Sequence, residues 1–351
     1  MKQFKRIASL VLIACMMLAF AACGEKKEAA EAEYKLGMGI VVSTASSAEN
    51  NAQIDATGAT VVLDKDSKIV ACRIDVAQNK MNITGGAVEA DKTFKTKMEL
   101  GDDYNMAKYG KPNVEGGTVK EWYVQTKAFE EYVVGKTAAQ VEAIETKEVN
   151  AHQIPVDEAL LNAGCTMQIT EFKAAVVKAC NDEQGMTFKT SEKFTLGIAA
   201  KTAVDSSTKA ATAAEAGAAN MYSDFACAVV AGGKVIATLN DAIQPKIAIS
   251  AAGIPTPAEF PGTKRELKEG YNMAKYGAPN VEGGTVKEWY IQSAAFSNYV
   301  IGMTASEIAG MKTKEVNAHQ ISVDEALLSA GCTMQITDIC AVVAQAANNA
   351  R

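Results

Sequence analysis

Tyr104-Asn-Met-Ala-Lys-Tyr-Gly110 recurs as Tyr271-Asn-Met-Ala-Lys-Tyr-Gly277, and the match runs on at a constant offset of 167 to Thr170 and Thr337. Of those 67 aligned positions, 50 are identical. Such identity at one fixed offset reads as duplication, and so long a period makes whole domains rather than a solenoid. Towards the N-terminus the offset drifts from 160 to 166. Leu36-Gly37 aligns with Leu196-Gly197, and Asp66-Ser67-Lys68-Ile69 with Gly232-Gly233-Lys234-Val235. Length changes of that kind belong in loops between strands. The expectation is an α+β chain of two tandem repeats of one domain, spanning 34–181 and 194–351 and joined by a polar linker, 182–193. Each repeat would be an N-terminal β-hairpin or antiparallel sheet followed by short packed helices.

Local signals fill in each repeat. Ala59-Thr-Val-Val-Leu-Asp64 is β-branched, and Asp66-Ser67 turns it into Lys68–Ile74 as a hairpin. In the second repeat Gly232-Gly233 takes the turn, as a tight hairpin requires. Thr118-Val-Lys-Glu121 and Thr285-Val-Lys-Glu288 have the spacing of capping boxes, and so do Thr137-Ala-Ala-Gln140 and Thr304-Ala-Ser-Glu307. The first box predicts a helix with Trp122, Thr126, Phe129 and Val133 on one face, ended by Gly135. Asp157-Glu158 opens a short helix that Gly164 closes. Met167–Ile169 reads as extended, and Thr170 as the cap of a last helix through Cys180.

The N-terminus predicts export. Lys2, Lys5 and Arg6 precede an apolar stretch from Ile7 to Ala22. That stretch is shorter than the roughly 20 residues a membrane-spanning helix needs, and it ends in small residues at the expected cut site, as in a signal peptide. Leu18-Ala-Phe-Ala-Ala-Cys23 resembles the bacterial lipobox, in which the cysteine is lipidated and becomes the first mature residue. The resemblance implies a signal peptide over 1–22, a lipid on Cys23, and a protein held at the extracytoplasmic face of the cell membrane, at the cell surface. Residues 23–33, rich in Lys, Glu and Ala, read as a flexible tether.

Charge and residue inventory narrow the chemistry. A formal charge of −6, with no basic cluster beyond the signal, argues against a nucleic-acid partner. The two histidines, His152 and His319, are repeat equivalents and read as structural or surface residues. Of eight cysteines, Cys15 leaves with the signal and Cys23 takes the lipid. Of the other six only Cys165 and Cys332 match between repeats, so buried free thiols are expected rather than a duplicated disulfide framework. No metal-ligand spacing and no catalytic constellation stands out. Two glycines before each first capping box, Gly116-Gly117 and Gly283-Gly284, would place free N–H groups at a helix N-terminus where a phosphate could sit.

The remaining signal is Asp157-Glu-Ala-Leu-Leu-Asn-Ala-Gly164-Cys165-Thr166-Met167, with its copy Asp324-Glu-Ala-Leu-Leu-Ser-Ala-Gly331-Cys332-Thr333-Met334. It resembles the flavin-attachment region of FMN-binding domains, found in bacterial surface lipoproteins and in subunits of Rnf and sodium-pumping NADH:quinone reductase complexes. In that family the last Thr of Ser/Thr-Gly-Ala-Thr takes FMN through a phosphoester bond. Here Ala163 replaces the Ser/Thr, Cys165 replaces the Ala, and Asp157 lies further upstream. The resemblance implies FMN on Thr166 and Thr333 beside Gly164 and Gly331, a flavin transferase that attaches it, and redox partners in surface electron transfer. Such a protein is a carrier rather than an enzyme with its own substrate. The alternative is a non-catalytic surface binding or scaffold module that kept the fold and lost the flavin. A literal Thr57-Gly58-Ala59-Thr60 also occurs, but it feeds directly into a strand and has no counterpart in the other repeat.

Overall fold

The computed structural model describes residues 30–89, 93–256 and 259–351; the expected signal peptide, Cys23 and residues 24–29 of the tether lie outside them. Three long strands come first, β1 (Ala32–Ser43), β2 (Asn51–Leu63) and β3 (Ile69–Thr84), then a short β4 (Ala87–Val88). They pair antiparallel in sequence order. β1 starts at Ala32, so the last residues expected in the tether are sheet. The helical series is α1 (Lys97–Leu100), α2 (Met106–Tyr109), α3 (Trp122–Tyr132) and α4 (Ala138–Glu142). A hairpin of β5 (Thr146–Val149) and β6 (His152–Pro155) separates these from α5 (Glu158–Ala163) and α6 (Thr170–Cys180).

The segment expected as a linker is instead part of the first sheet. β7 (Met186–Thr190) pairs antiparallel with Ala32–Leu36 of β1, giving the order β4-β3-β2-β1-β7. Aromatic packing accounts for it: the ring of Phe188 stacks on Tyr34, and Phe194 meets both edge-on.

The second half repeats the series with β8 (Thr195–Val204), β9 (Gly217–Ala231), β10 (Lys234–Ile243), β11 (Lys246–Ile249) and β12 (Pro255–Thr256). β8 and β10 flank β9. Gly232 and Gly233, at φ 55° and 77°, make the two-residue turn expected there. One long strand, β3, lines the whole of β2, whereas β9 is lined by β10 and then β11. Pro245 sits at that break; lacking an N–H, proline removes a ladder bond. Next come α7 (Lys264–Leu267), α8 (Met273–Tyr276), α9 (Trp289–Tyr299) and α10 (Ala305–Ala309). The hairpin of β13 (Thr313–Val316) and β14 (His319–Ser322), then α11 (Glu325–Ala330) and α12 (Thr337–Asn348), complete the chain.

Several caps form as the sequence predicts. Thr137 with Gln140, and Thr304 with Glu307, make reciprocal capping boxes on α4 and α10. Asp157 and Asp324 cap α5 and α11, which end on Gly164 and Gly331 in the left-handed region. The boxes on Thr118 and Thr285 do not form. Glu121 and Glu288 are themselves the N-cap residues of α3 and α9, with no side-chain cap bond. Their carboxylates instead accept the N–H groups of Met106 and Ala107, and of Met273 and Ala274, at the starts of α2 and α8. Met167–Ile169 is not a strand, and Thr170 is the first residue of α6 rather than its cap.

The apolar residues sort into three cores. Leu36, Ile54, Met81, Phe225, Leu239 and Ile247, drawn from both halves, belong to one cluster that fills the space between the two sheets. On the outer face of the first sheet, Val61, Cys72 and Ile74 pack on Trp122, Phe129 and Phe172 of α3 and α6. On the outer face of the second, Ala226, Ala228 and Val235 pack on Trp289, Phe296 and Val343 of α9 and α12. The order of layers is helices, sheet, sheet, helices. Residues Glu31–Arg351 form one compact unit, so the bodies expected as separate share their central core.

Close approach explains three glycines. A Cβ on Gly37 would fall on the carbonyl oxygen of Ala179 in α6, and one on Gly197 on that of Ala346 in α12. Gly58 lies within β2, where a Cβ would come 2.8 Å from the ring of Phe225 across the central core. The literal Thr57-Gly58-Ala59-Thr60 is therefore strand interior, with Thr60 fully buried and its hydroxyl donating to Gly37 O.

Candidate functional site

A cavity of about 810 Å³ opens between the outer face of the first sheet and the loops and helices that cover it. Concave sites for small organic ligands have about this size. Its floor comes from the sheet, with Asp55 and Thr57 on β2 and Val76 and Gln78 on β3. Its walls come from α1, α3, the hairpin bearing Asn150 and His152, and the segment Thr166–Gln168.

Thr166 lies half-buried on that wall, and its backbone is fixed on both sides. Its N–H donates to Gln125 Oε1 at 2.9 Å, and its carbonyl accepts from Asn113 Nδ2 at 3.0 Å. The Thr166 hydroxyl donates to the same Gln125 oxygen at 3.3 Å. Asn150 in turn donates to Asn113 Oδ1 at 3.1 Å, tying the hairpin turn to the loop. The second half repeats this network on Thr333 through Gln292, Asn280 and Asn317. Gln125 and Asn113 are the partners that sequence reasoning missed, because their link to Thr166 spans 41 and 53 residues.

Gly164 and Gly331 act as helix ends. At φ 102° and 100° they close α5 and α11, and a Cβ on either would strike the Lys120 or Lys287 side chain. The neighbouring Cys165 is fully buried, and burial pushes its thiol up to about 12. The thiol therefore stays protonated and inert at neutral pH.

The glycine pairs do not supply a helix N-terminus. Gly116 turns the chain at φ 67° and Gly117 N–H donates to Val114 O, but α3 begins only at Trp122. Gly283 and Gly284 behave likewise before α9. The expected phosphate position is thus not built, since the N–H groups that would form it belong to a turn.

The site contains a cation that sequence patterning did not single out. Lys97 Nζ sits 4.9 Å from the ring centre of Tyr104 and 5.6 Å from that of Trp122. Among the described residues no carboxylate pairs with it. Its floor neighbour Asp55 takes hydrogen bonds from the amides of Gln53 and Gln78 instead.

In the second half the corresponding lysine, Lys264, is buried, with 7% of its surface exposed. It lies over the rings of Tyr222, Tyr271 and Trp289 and donates to the Tyr222 hydroxyl at 3.2 Å. That hydroxyl donates to Asp224 Oδ1 at 3.1 Å. Burial works against both charges, raising the Asp224 carboxyl and lowering the Lys264 ammonium, while their mutual attraction opposes this.

All six cysteines among the described residues are buried and free. His152 and His319 are exposed at the starts of β6 and β14. Among the described residues no cluster of His, Cys, Asp or Glu could hold a metal, and no helix is long and apolar enough to cross a membrane. Comparison with protein-family models, with curated proteins and with solved structures found no match to this chain.

Proposed function

We propose that the chain is two copies of one domain on a lipid anchor at Cys23, held at the extracytoplasmic face of the membrane and carrying a small organic cofactor. The cofactor class that the Gly-Cys-Thr segments resemble is FMN, and Thr166 is its acceptor. The observation that carries this reading is the coincidence of Thr166, picked out by sequence alone, with the wall of an 810 Å³ cavity. Around it stand Trp122 and Tyr104, and two amides orient its backbone. As a carrier the protein would pass electrons between partners and have no substrate of its own.

The test is expression with a periplasmic flavin transferase, followed by denaturing electrophoresis and ultraviolet fluorescence. A fluorescent band that Thr166→Ala abolishes supports the reading, because a methyl group cannot form the phosphoester. If the chain stays dark even with Ala163→Ser and Cys165→Ala, while a genuine family member labels in parallel, covalent flavin is wrong. Mass spectrometry of the mature N-terminus tests the anchor: an acylated Cys23 is expected, and a free N-terminus beyond it overturns that part.

A second reading, a binding module without covalent flavin, draws on the Thr166 hydroxyl being engaged with Gln125 and on Cys165 filling a packed position that the family motif gives to alanine.

A further inference from the structure

The two halves treat the same position differently. Gly37 pairs with Val61 in the first sheet, and its counterpart Gly197 pairs with Ala228 in the second. Counting back along β2 and β9, Thr57 corresponds to Asp224 and Asp55 to Tyr222. In the second half, then, a phenol and a carboxylate enter the space between sheet and helices and reach towards the lysine there, directly from Tyr222 and through its hydroxyl from Asp224. In the first half those two positions carry the shorter Asp55 and Thr57, and the Asp55 carboxylate is held by the amides of Gln53 and Gln78. Lys97 stays half-buried against aromatic faces, and the space is open.

A cation on ring faces at the edge of a cavity, with no carboxylate paired to it among the described residues, is complementary to an incoming anion. Tyr109, 73% exposed at the mouth, offers a further ring on which a flat body can lie. We infer that the chain has a single ligand site, in the first half, for a small aromatic anion whose charged group pairs with Lys97, and that Tyr222 and Asp224 fill the equivalent site in the second. This rests on the small-molecule reading of the cavity but not on any covalent bond to Thr166.

The experiment uses the full chain in detergent, made without a flavin transferase and titrated calorimetrically with FMN, riboflavin, phenyl phosphate and inorganic phosphate. One FMN or one phenyl phosphate should bind per chain. Lys97→Met should weaken either by about tenfold or more while leaving riboflavin, which has no phosphate, unchanged. Tyr222→Asp together with Asp224→Thr, which transplants the residues of the first half, should raise the stoichiometry from one to two. Thermal melts of each variant check that it is folded. Binding of phenyl phosphate but not FMN would retain this site and reject the flavin reading. Two ligands per wild-type chain, equal losses for FMN and riboflavin in Lys97→Met, or no binding of any aromatic phosphate at 1 mM (a ceiling on the order of −4 kcal/mol) would each overturn it.

Discussion

Lys268 should be replaceable by glycine with a gain in stability. It has φ 48° and ψ −121°, and the corresponding position in the first half is Gly101 with φ 51° and ψ −122°. This is the conformation of the first central residue of a type II′ turn, which glycine dominates. An L-residue held in so sparsely populated a region costs about 1–3 kcal/mol. Against that gain stand two losses. The Lys268–Glu183 contact is 3.5 Å long between side chains 43% and 85% exposed, and such a pair is worth about 0–1 kcal/mol. The added freedom of glycine in the unfolded chain costs about 0.5–1 kcal/mol. The net expectation for Lys268→Gly is a stabilisation of about 1 kcal/mol, read as a higher urea midpoint at unchanged slope. The reciprocal change isolates the backbone term. A Cβ on Gly101 meets nothing within 4 Å, so Gly101→Ala carries conformational strain without a clash and should cost about 1–2 kcal/mol. A Lys268→Gly chain less stable than the parent, or a neutral Gly101→Ala, would refute the reasoning.

Three further outcomes follow from packing and burial. Burial pushes Asp75 up to about 7, so between an unfolded value near 4 and 7 the folded state holds a proton that the unfolded state releases. Stability from this group is therefore full below about pH 4 and falls as pH rises to 7. Asp75→Asn keeps an acceptor for the Val76 and Met98 N–H groups and should flatten that slope, gaining roughly 1–3 kcal/mol at pH 8 relative to pH 4; an unchanged pH profile in urea melts would count against it. Gly37→Ala and Gly197→Ala should each cost about 1–3 kcal/mol or more by thermal unfolding, because each new methyl falls on a helix carbonyl. A fragment covering 34–181 should expose the inner face of its sheet and bind a hydrophobic dye or self-associate; a monomeric, dye-silent fragment would show that the central core is dispensable.

The sequence made the local devices readable where the chemistry is local. The turn at Gly232-Gly233, the boxes at Thr137 and Thr304, and the αL glycines after α5 and α11 each involve residues a few positions apart. The boxes at Thr118 and Thr285 had the right spacing but lost their glutamates to helix starts 14 and 15 residues upstream, which no local pattern records. The double-faced burial of the sheets did leave a trace. Ala59-Thr-Val-Val-Leu63 and Ala226-Cys-Ala-Val-Val230 are nearly continuous apolar runs rather than alternating ones, the mark of strands covered on both sides. Thr166, which lies on the cavity wall, was singled out by the segment it belongs to. Lys97 was not, because its significance depends on which strand residues the register sets beneath it, and on the contrast with Tyr222 and Asp224.

The shared core also sets a timetable. Leu36, Ile54 and Met81 belong to the first three strands, yet the side chains that share their core, Phe225, Leu239 and Ile247, come more than 140 residues after the last of them. Glu130, almost wholly buried, waits still longer for Arg351, 221 residues away, which bonds its carboxylate at 2.9 Å. During synthesis the first sheet therefore exists with one apolar face bare. The complement it awaits is also present in every neighbouring chain, so at high concentration the second sheet of a neighbour competes for that face. Slow emergence of the second half favours exchanged dimers over monomers, and rapid emergence favours closure within one chain.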